Sequence, residues 1–233
     1  MVVDEPRSGA RTLIETGMGR RWTKKEREIY ALADTPDVPD VLRAAGVDPD
    51  TITHVVLTHL HWDHAGGAVV KRDDGSLALA FPRARHVVGK ACAAYAAAAS
   101  DKDAGSFRPD DVELVLSAPS TLLWEGGELA PGLDATLSNG HTPGLVVPWA
   151  RERDGKPPLA FPTDLVPTKS HLRPSWVMAY DTEPVVSVRE KQALFDELAK
   201  LSGELVLYHD PLVEAARAVA TKHGPELEPC ALS

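Results

Sequence analysis

The chain has 233 residues, 43% hydrophobic and 25% charged, enough for one sizeable folded core rather than a string of small modules. Its formal net charge of −9 works against nucleic acid and anionic membranes, both of which select excess lysine and arginine. There is no run of about 18 apolar residues to span a bilayer; two cysteines with no motif spacing and an acidic start without a signal-like apolar core lead us to expect a cytoplasmic protein. Arg11 to Ile14 reads as a short strand that runs into Glu15-Thr16-Gly17-Met18-Gly19, a glycine-punctuated turn. Helices are expected at Lys24–Ala33, where the apolar face is thin, and at Asp40–Ala45, closed by Gly46. Thr53 to Thr58 is β-branched and apolar, which suits a buried strand, and it leads directly into His59-Leu60-His61-Trp62-Asp63-His64-Ala65-Gly66-Gly67.

A strand at Arg85–Val88 and an alanine-rich helix from about Lys90 to Ser100 come next, and the polar, breaker-rich Asp101–Pro109 reads as a surface loop. Short strands are expected at Thr121–Trp124, Asp134–Leu137, Leu145–Trp149 and Leu159–Pro162, before an irregular stretch from Pro167 to Pro184. Ser187 and Glu190 have capping-box spacing ahead of a helix in which Ala193, Leu194, Leu198 and Leu201 recur at helical intervals up to Gly203. A last buried strand, Glu204–Tyr208, ends at His209, and Val213–His223 is expected to be helical. With no repeat, linker or low-complexity tract beyond the alanines of 91–99, one α/β domain over residues 1–233 is the simplest organisation.

Three histidines and an aspartate within six residues, directly after a strand, make a metal-ligand pattern. Side chains at i and i+2 of an extended stretch share a face, so His59 and His61 can converge on one ion. The chain then turns, and Asp63 and His64 can aim at a second. Neutral imidazole and carboxylate suit zinc, and also iron or manganese. A polar loop whose histidines merely cap and solvate would account for one histidine, not for three with further candidates downstream. Those candidates are His141, in Asn139-Gly140-His141-Thr142-Pro143-Gly144, then Asp164 and His209, each at the end of an expected strand. Strand ends are where a sheet scaffold presents chemistry. Taken singly each could be a turn residue, an N-cap or a helix start; together they complete a ligand count for two metals.

The segment His59–Gly67 resembles the His-x-His-x-Asp-His signature of the metallo-β-lactamase superfamily, and the segment 140–144, Asp164 and His209 follow in the order of that family's remaining ligands. The resemblance covers roughly Thr12 to Pro211. It implies an α/β fold, the αββα four-layer sandwich; only about a dozen residues precede Leu13-Ile14-Glu15-Thr16-Gly17, where Glu15 replaces a common aspartate, so either the fold is trimmed at its N-terminal edge or the true start lies upstream. A trimmed edge would expose a strand for a partner to cover, so a homodimer is expected. Residue by residue, the resemblance implies a first divalent metal on His59, His61 and His141, a second on Asp63, His64 and His209, and Asp164 bridging both; Zn²⁺ is the first choice, with iron or manganese as alternatives. Two cations about 3.5–4 Å apart share a water and bring its pKa near neutrality, so hydrolysis by a metal-bridging hydroxide is expected, with Asp63 doubling as a proton shuttle.

The stretch from Phe161 to Thr168, with His171 and Trp176–Asp181, looks like the lactonase-type members, in which this segment lines the substrate pocket. His171 and Tyr180 are therefore candidate catalytic or substrate-contacting residues beside Asp63, set against the plainer readings of a loop histidine and a packed tyrosine. Trp62 is expected to pack beneath its loop, and Trp176 and Met178 to wall the pocket. A small neutral substrate, a lactone or carboxylic ester, follows. Antibiotic hydrolysis is disfavoured, because the dizinc lactamases commonly place a cysteine where Asp164 stands and are exported. Leu145 departs from a histidine common after the second motif, at a position that is not a metal ligand. The alternatives within the fold are a mono-iron sulfur dioxygenase, a phosphoester or phosphotriester hydrolase, and a non-catalytic metal-binding protein.

Overall fold

Two sheets, each with parallel strands at its centre, carry the residues singled out above. The computed structural model describes residues 1–34, 36–221 and 224–232. They fall into two compact units, residues 1–88 with 96–124, and residues 89–95 with 125–233. In chain order the elements are β1 (Val2–Glu5), β2 (Ala10–Ile14), α1 (Lys24–Ile29), α2 (Val38–Ala44), β3 (His54–Leu57), α3 (Trp62–Ala65), β4 (Val69–Lys71), β5 (Leu77–Leu79), β6 (Arg85–Gly89), α4 (Lys90–Ala96), α5 (Pro109–Ser117) and β7 (Thr121–Trp124). They continue with β8 (Asp134–Ser138), β9 (Leu145–Ala150), β10 (Leu159–Ala160), α6 (Pro184–Leu201), β11 (Glu204–Val206), β12 (Ala215–Thr221) and β13 (Gly224–Cys230).

The first unit is built on a five-stranded sheet of order β1-β2-β3-β6-β7, in which β3 lies parallel to both β2 and β6. Val55, Val56 and Leu57 of β3 are wholly buried. A strand covered on both faces needs an unbroken apolar run, which is what these residues supply. β1 lies antiparallel to β2 at the sheet's edge. The short helix α1 starts at a capping box between Thr23 and Glu26 and stops at Ile29, short of the expected Ala33; it buries no residue, so nothing pays for further turns. The expected surface loop at Asp101–Pro109 is a correction: Asp103 and Phe107 are buried around a 3₁₀ turn at Ala104–Ser106.

The second unit is built on a six-stranded sheet of order β13-β12-β11-β10-β9-β8, antiparallel except where β10 and β11 run side by side. α6 packs Leu194, Phe195 and Leu198 into a core shared with Leu145, Val147, Trp149 and Leu205. Each such side chain contributes about 1.5–3 kcal/mol when fully buried. The helix begins at Pro184, so Ser187 lies inside it and does not act as its N-cap. The expected helix at Val213–His223 is also corrected. β12 pairs with β11 on one side and β13 on the other, and the alanines' helix preference, a few tenths of a kcal/mol each, yields to two ladders of hydrogen bonds. His223 lies outside the described residues. Among the described residues no helix is long and apolar enough to cross a membrane, and Cys92 and Cys230 form no disulfide.

Candidate metal centre

Parallel strands end together, and in the first unit the C-terminal ends of β2 and β3 are where the motif begins. Ligand sites of open α/β sheets commonly lie at such ends. After β3 the chain passes through Thr58 and His59, and the single turn α3 then carries Asp63 and His64. His59 and His61 each offer a ligand atom within 4.8 Å of the other's, and the same holds for Asp63 and His64. The rings of His59 and His64 have centroids 4.1 Å apart, and those of His59 and His61 4.5 Å apart. The backbone is stitched to β2's exit: Thr16 N–H and Oγ1 both donate to the His64 carbonyl at 2.9 Å, and Gly67 N–H donates to Gly17 O at 2.8 Å. A Cβ on Gly67 would strike the Thr16 carbonyl, which is why glycine follows the motif.

Hydrogen-bonding partners stand behind His64 and His59, and a buried carboxylate lies near His61. His64 Nδ1 lies 2.9 Å from Glu15 Oε2, and Glu15 Oε1 accepts from Thr58 N–H at 2.8 Å. Glu15 reaches both from a left-handed backbone, φ 67°. His59 Nδ1 lies 3.1 Å from Thr58 Oγ1. His61 Nε2 is 3.9 Å from Oδ2 of buried Asp103, whose other oxygen accepts from Ser100 Oγ at 2.9 Å, and the ring of Phe107 packs edge-on against His61. Imidazoles held by outer carboxylates and hydroxyls are the usual surroundings of metal-bound histidine, because the outer partner fixes tautomer and orientation. Trp62 packs against Trp22 and Tyr30, with ring centroids 4.9 and 5.1 Å away. These three rings, Phe107 and Arg108 line a pocket of about 300 Å³ within this unit.

In the second unit β10 and β11 run parallel, and their C-terminal ends deliver Asp164 and His209 side by side, with His209 Nε2 3.0 Å from Asp164 Oδ1. His141, in the turn between β8 and β9, places Nε2 3.2 Å from Asp164 Oδ2 and Nδ1 3.0 Å from Asp181 Oδ1. One carboxylate thus meets two imidazoles, one per oxygen. Thr163, just before it, takes the left-handed conformation at φ 43°, unusual for a β-branched residue. The His141 turn is held by Glu190 of α6, whose carboxylate accepts from Ser138 Oγ at 2.7 Å and from the backbone N–H groups of Asn139 and Gly140 at 2.9–3.1 Å. Glu190 therefore serves this turn and not the capping box that its spacing suggested.

His171 sits in the irregular stretch after Asp164, its Nδ1 2.8 Å from Thr168 Oγ1. Burial, helped by the nearby Lys191 ammonium, pushes its pKa down, while Asp181 and Asp164 pull the other way. Tyr180 and Trp176 are open to solvent, 61% and 51% exposed. The donors brought together within the first unit are His59, His61, Asp63 and His64, and within the second His141, Asp164 and His209. Sequence reasoning passed over Glu15, Asp103, Asp181 and Glu190. A buried acid at a strand exit was the one readable sign, and it applied to Glu15.

The donor set suits zinc and equally iron or manganese: imidazole nitrogen and carboxylate oxygen, buried except at Asp63 and His209. Residues 1–214 match the family described as the metallo-beta-lactamase superfamily. No curated protein matches the chain. Among solved structures, a probable metal-dependent hydrolase from Staphylococcus aureus is 24% identical, with a TM-score of 0.80 over 90% of this chain and 74% of that one. AidC, a dizinc quorum-quenching lactonase, is 23% identical, with a TM-score of 0.77 over 100% of this chain and 79% of its own. The hydrolase AbOPH, of the beta lactamase superfamily, is 21% identical, with a TM-score of 0.73 over 96% and 77%. At such identities the likeness is one of fold.

Proposed function

Because the chain belongs to the metallo-β-lactamase superfamily, we propose that it is a dinuclear metal-dependent hydrolase of lactones or carboxylic esters. His59, His61 and His141 would hold one divalent ion and Asp63, His64 and His209 a second, with Asp164 a donor common to both groups. The observation that carries this reading is the outer set of carboxylates: His64 on Glu15 and His141 on Asp181 are both buried imidazole–carboxylate pairs, an arrangement that fixes a ring for metal binding. The two ions, zinc by preference, supply Lewis acidity for the ester carbonyl and bring the pKa of water close to neutral.

The protein's own residues do the rest. Asp63, its side chain part-exposed beside His64, takes the proton of the attacking water and returns it to the departing alkoxide oxygen. Water adds to the carbonyl carbon, the C–O bond to that oxygen breaks, and the products are a carboxylic acid and an alcohol. His171, fixed through Nδ1, offers Nε2 to a substrate oxygen, and the exposed Tyr180 hydroxyl is available for a second contact. The pocket lined by Trp22, Tyr30, Trp62 and Phe107 also carries Glu26, Arg108 and Asp110, so it offers a substrate charged and aromatic contacts together, and Phe107 connects it to His61. A cytoplasmic site of action accords with two thiols that form no disulfide.

Elemental analysis of protein purified without added metal, paired with turnover of lactones, aryl esters, phosphodiesters, phosphotriesters and a cephalosporin, tests this. We expect two metal ions per chain, turnover of lactones or esters, loss of activity with chelator and recovery with zinc, manganese or iron. Full activity of metal-free protein, or turnover confined to the cephalosporin, would overturn it.

A further inference from the structure

Lys191 occupies a position where the helical pattern calls for an apolar residue. It lies three and seven residues before Leu194 and Leu198 on the buried stripe of α6, and it is 1% exposed. A buried ammonium persists only where its donors are used. Here Nζ donates to the backbone carbonyls of Arg173 at 3.0 Å and of Trp176 at 2.5 Å. Burial draws its pKa down to about 8, against the attraction of Asp181, so the group is cationic at neutral pH.

The two carbonyls belong to the long irregular stretch that follows Asp164. Its near end is fixed by His209 N–H on Pro167 O and by Lys169 N–H on Asp210. Its far end is fixed by Thr182 N–H on His141 O and Glu183 N–H on Gly140 O. Between these ends Leu172 packs on the core, and Lys191 ties positions 173 and 176 to α6. Long loops without regular structure keep one conformation only when pinned in this way.

We propose that Lys191 is a positioning residue that pins the substrate-side loop and so keeps His171, bonded through Nδ1 to Thr168, in one place. This rests on the hydrolase reading above. The neighbouring Glu190 holds the His141 turn, so adjacent residues of α6 have separable duties, one toward the metal donors and one toward the substrate loop. Removing the ammonium should free the middle of the loop and leave His141, Asp164 and His209 as they are.

The test compares wild type, K191M and K191Q by amide hydrogen exchange, zinc affinity, and kcat and KM on the lactone and ester panel. In K191M, exchange across residues 170–180 should quicken at least tenfold while β9 and β11 keep their protection. Zinc affinity should stay within threefold of wild type, and kcat/KM should fall at least tenfold, chiefly through KM. K191Q keeps a donor and serves if K191M does not fold; it should move in the same direction by a smaller factor. Unchanged loop exchange, or zinc affinity falling in step with activity, would overturn the assignment. If wild type turns over nothing in the panel, the hydrolase reading falls, and loop exchange alone decides whether Lys191 is the pin.

Discussion

Replacing Glu15 with glutamine separates metal binding from folding. The carboxylate accepts two hydrogen bonds, from Thr58 N–H at 2.8 Å and at 2.9 Å from His64 Nδ1, and it is buried. A carboxylate accepts through both oxygens; an amide has one acceptor and one donor end. In E15Q the amide oxygen retains Thr58, so its NH₂ faces His64 and demands a lone pair on Nδ1. The ring proton then moves to Nε2, the nitrogen that faces Asp63 and that a metal would need. A charge-assisted hydrogen bond of this kind contributes about 1.5–3 kcal/mol. Its loss corresponds to a fall in metal affinity of about ten- to a hundredfold, the usual size of an outer-carboxylate effect. Competition against a chromophoric chelator reads this directly. Thermal unfolding of metal-free protein supplies the control: E15Q should melt within about 3 °C of wild type. E15A, which also strands the Thr58 N–H, should lose a further 1–3 kcal/mol or so, about 2–4 °C for each. Wild-type metal affinity in E15Q would refute the orienting role.

Two further outcomes concern stability. His86 is buried in β6, and desolvation pushes its pKa down to about 4. Its folded pKa lies below the unfolded value, so its share of stability is intact above pH 6.5 and drains away as the pH falls toward 4. Urea unfolding should therefore show wild type losing about 2 kcal/mol more than H86L between pH 7 and pH 5, and parallel losses would count against the burial argument. Asp111 makes a close ion pair with Arg21 and a longer one with Arg108, at 3.5 Å. D111A should cost about 3 kcal/mol by leaving guanidinium charge half-buried and unmatched, seen as a melting temperature lower by roughly 6–12 °C; a shift under about 2 °C would show the pair to be dispensable.

The ligand positions were legible because their signal is local: alternate residues on an extended segment, glycines at forced turns, and single donors at the ends of apolar runs. β3 and β9 were legible for the same reason, since a strand buried on both faces must be written as continuous apolar sequence. The supporting acids were not. Glu15 lies 49 residues from His64 and Asp181 40 from His141, and no spacing rule links residues that only the sheet brings together. Glu190 misled, because three residues after a serine is also where a capping glutamate stands. Asp103 was hidden in a segment polar enough to pass for surface. At Val213–His223 alanine content favoured a helix, while pairing with β11 and β13, a property of the whole sheet, chose a strand.

Thr163 shows what the fold gives up for Asp164. Holding a β-branched residue at φ 43° costs on the order of 1–3 kcal/mol, which the surrounding packing must absorb. That sum is a noticeable share of the 5–15 kcal/mol by which a typical domain outlasts its unfolded chain. Part of the protein's cohesion is thus committed to aiming one carboxylate, and resistance to heat is correspondingly smaller than its well-filled interior would otherwise allow.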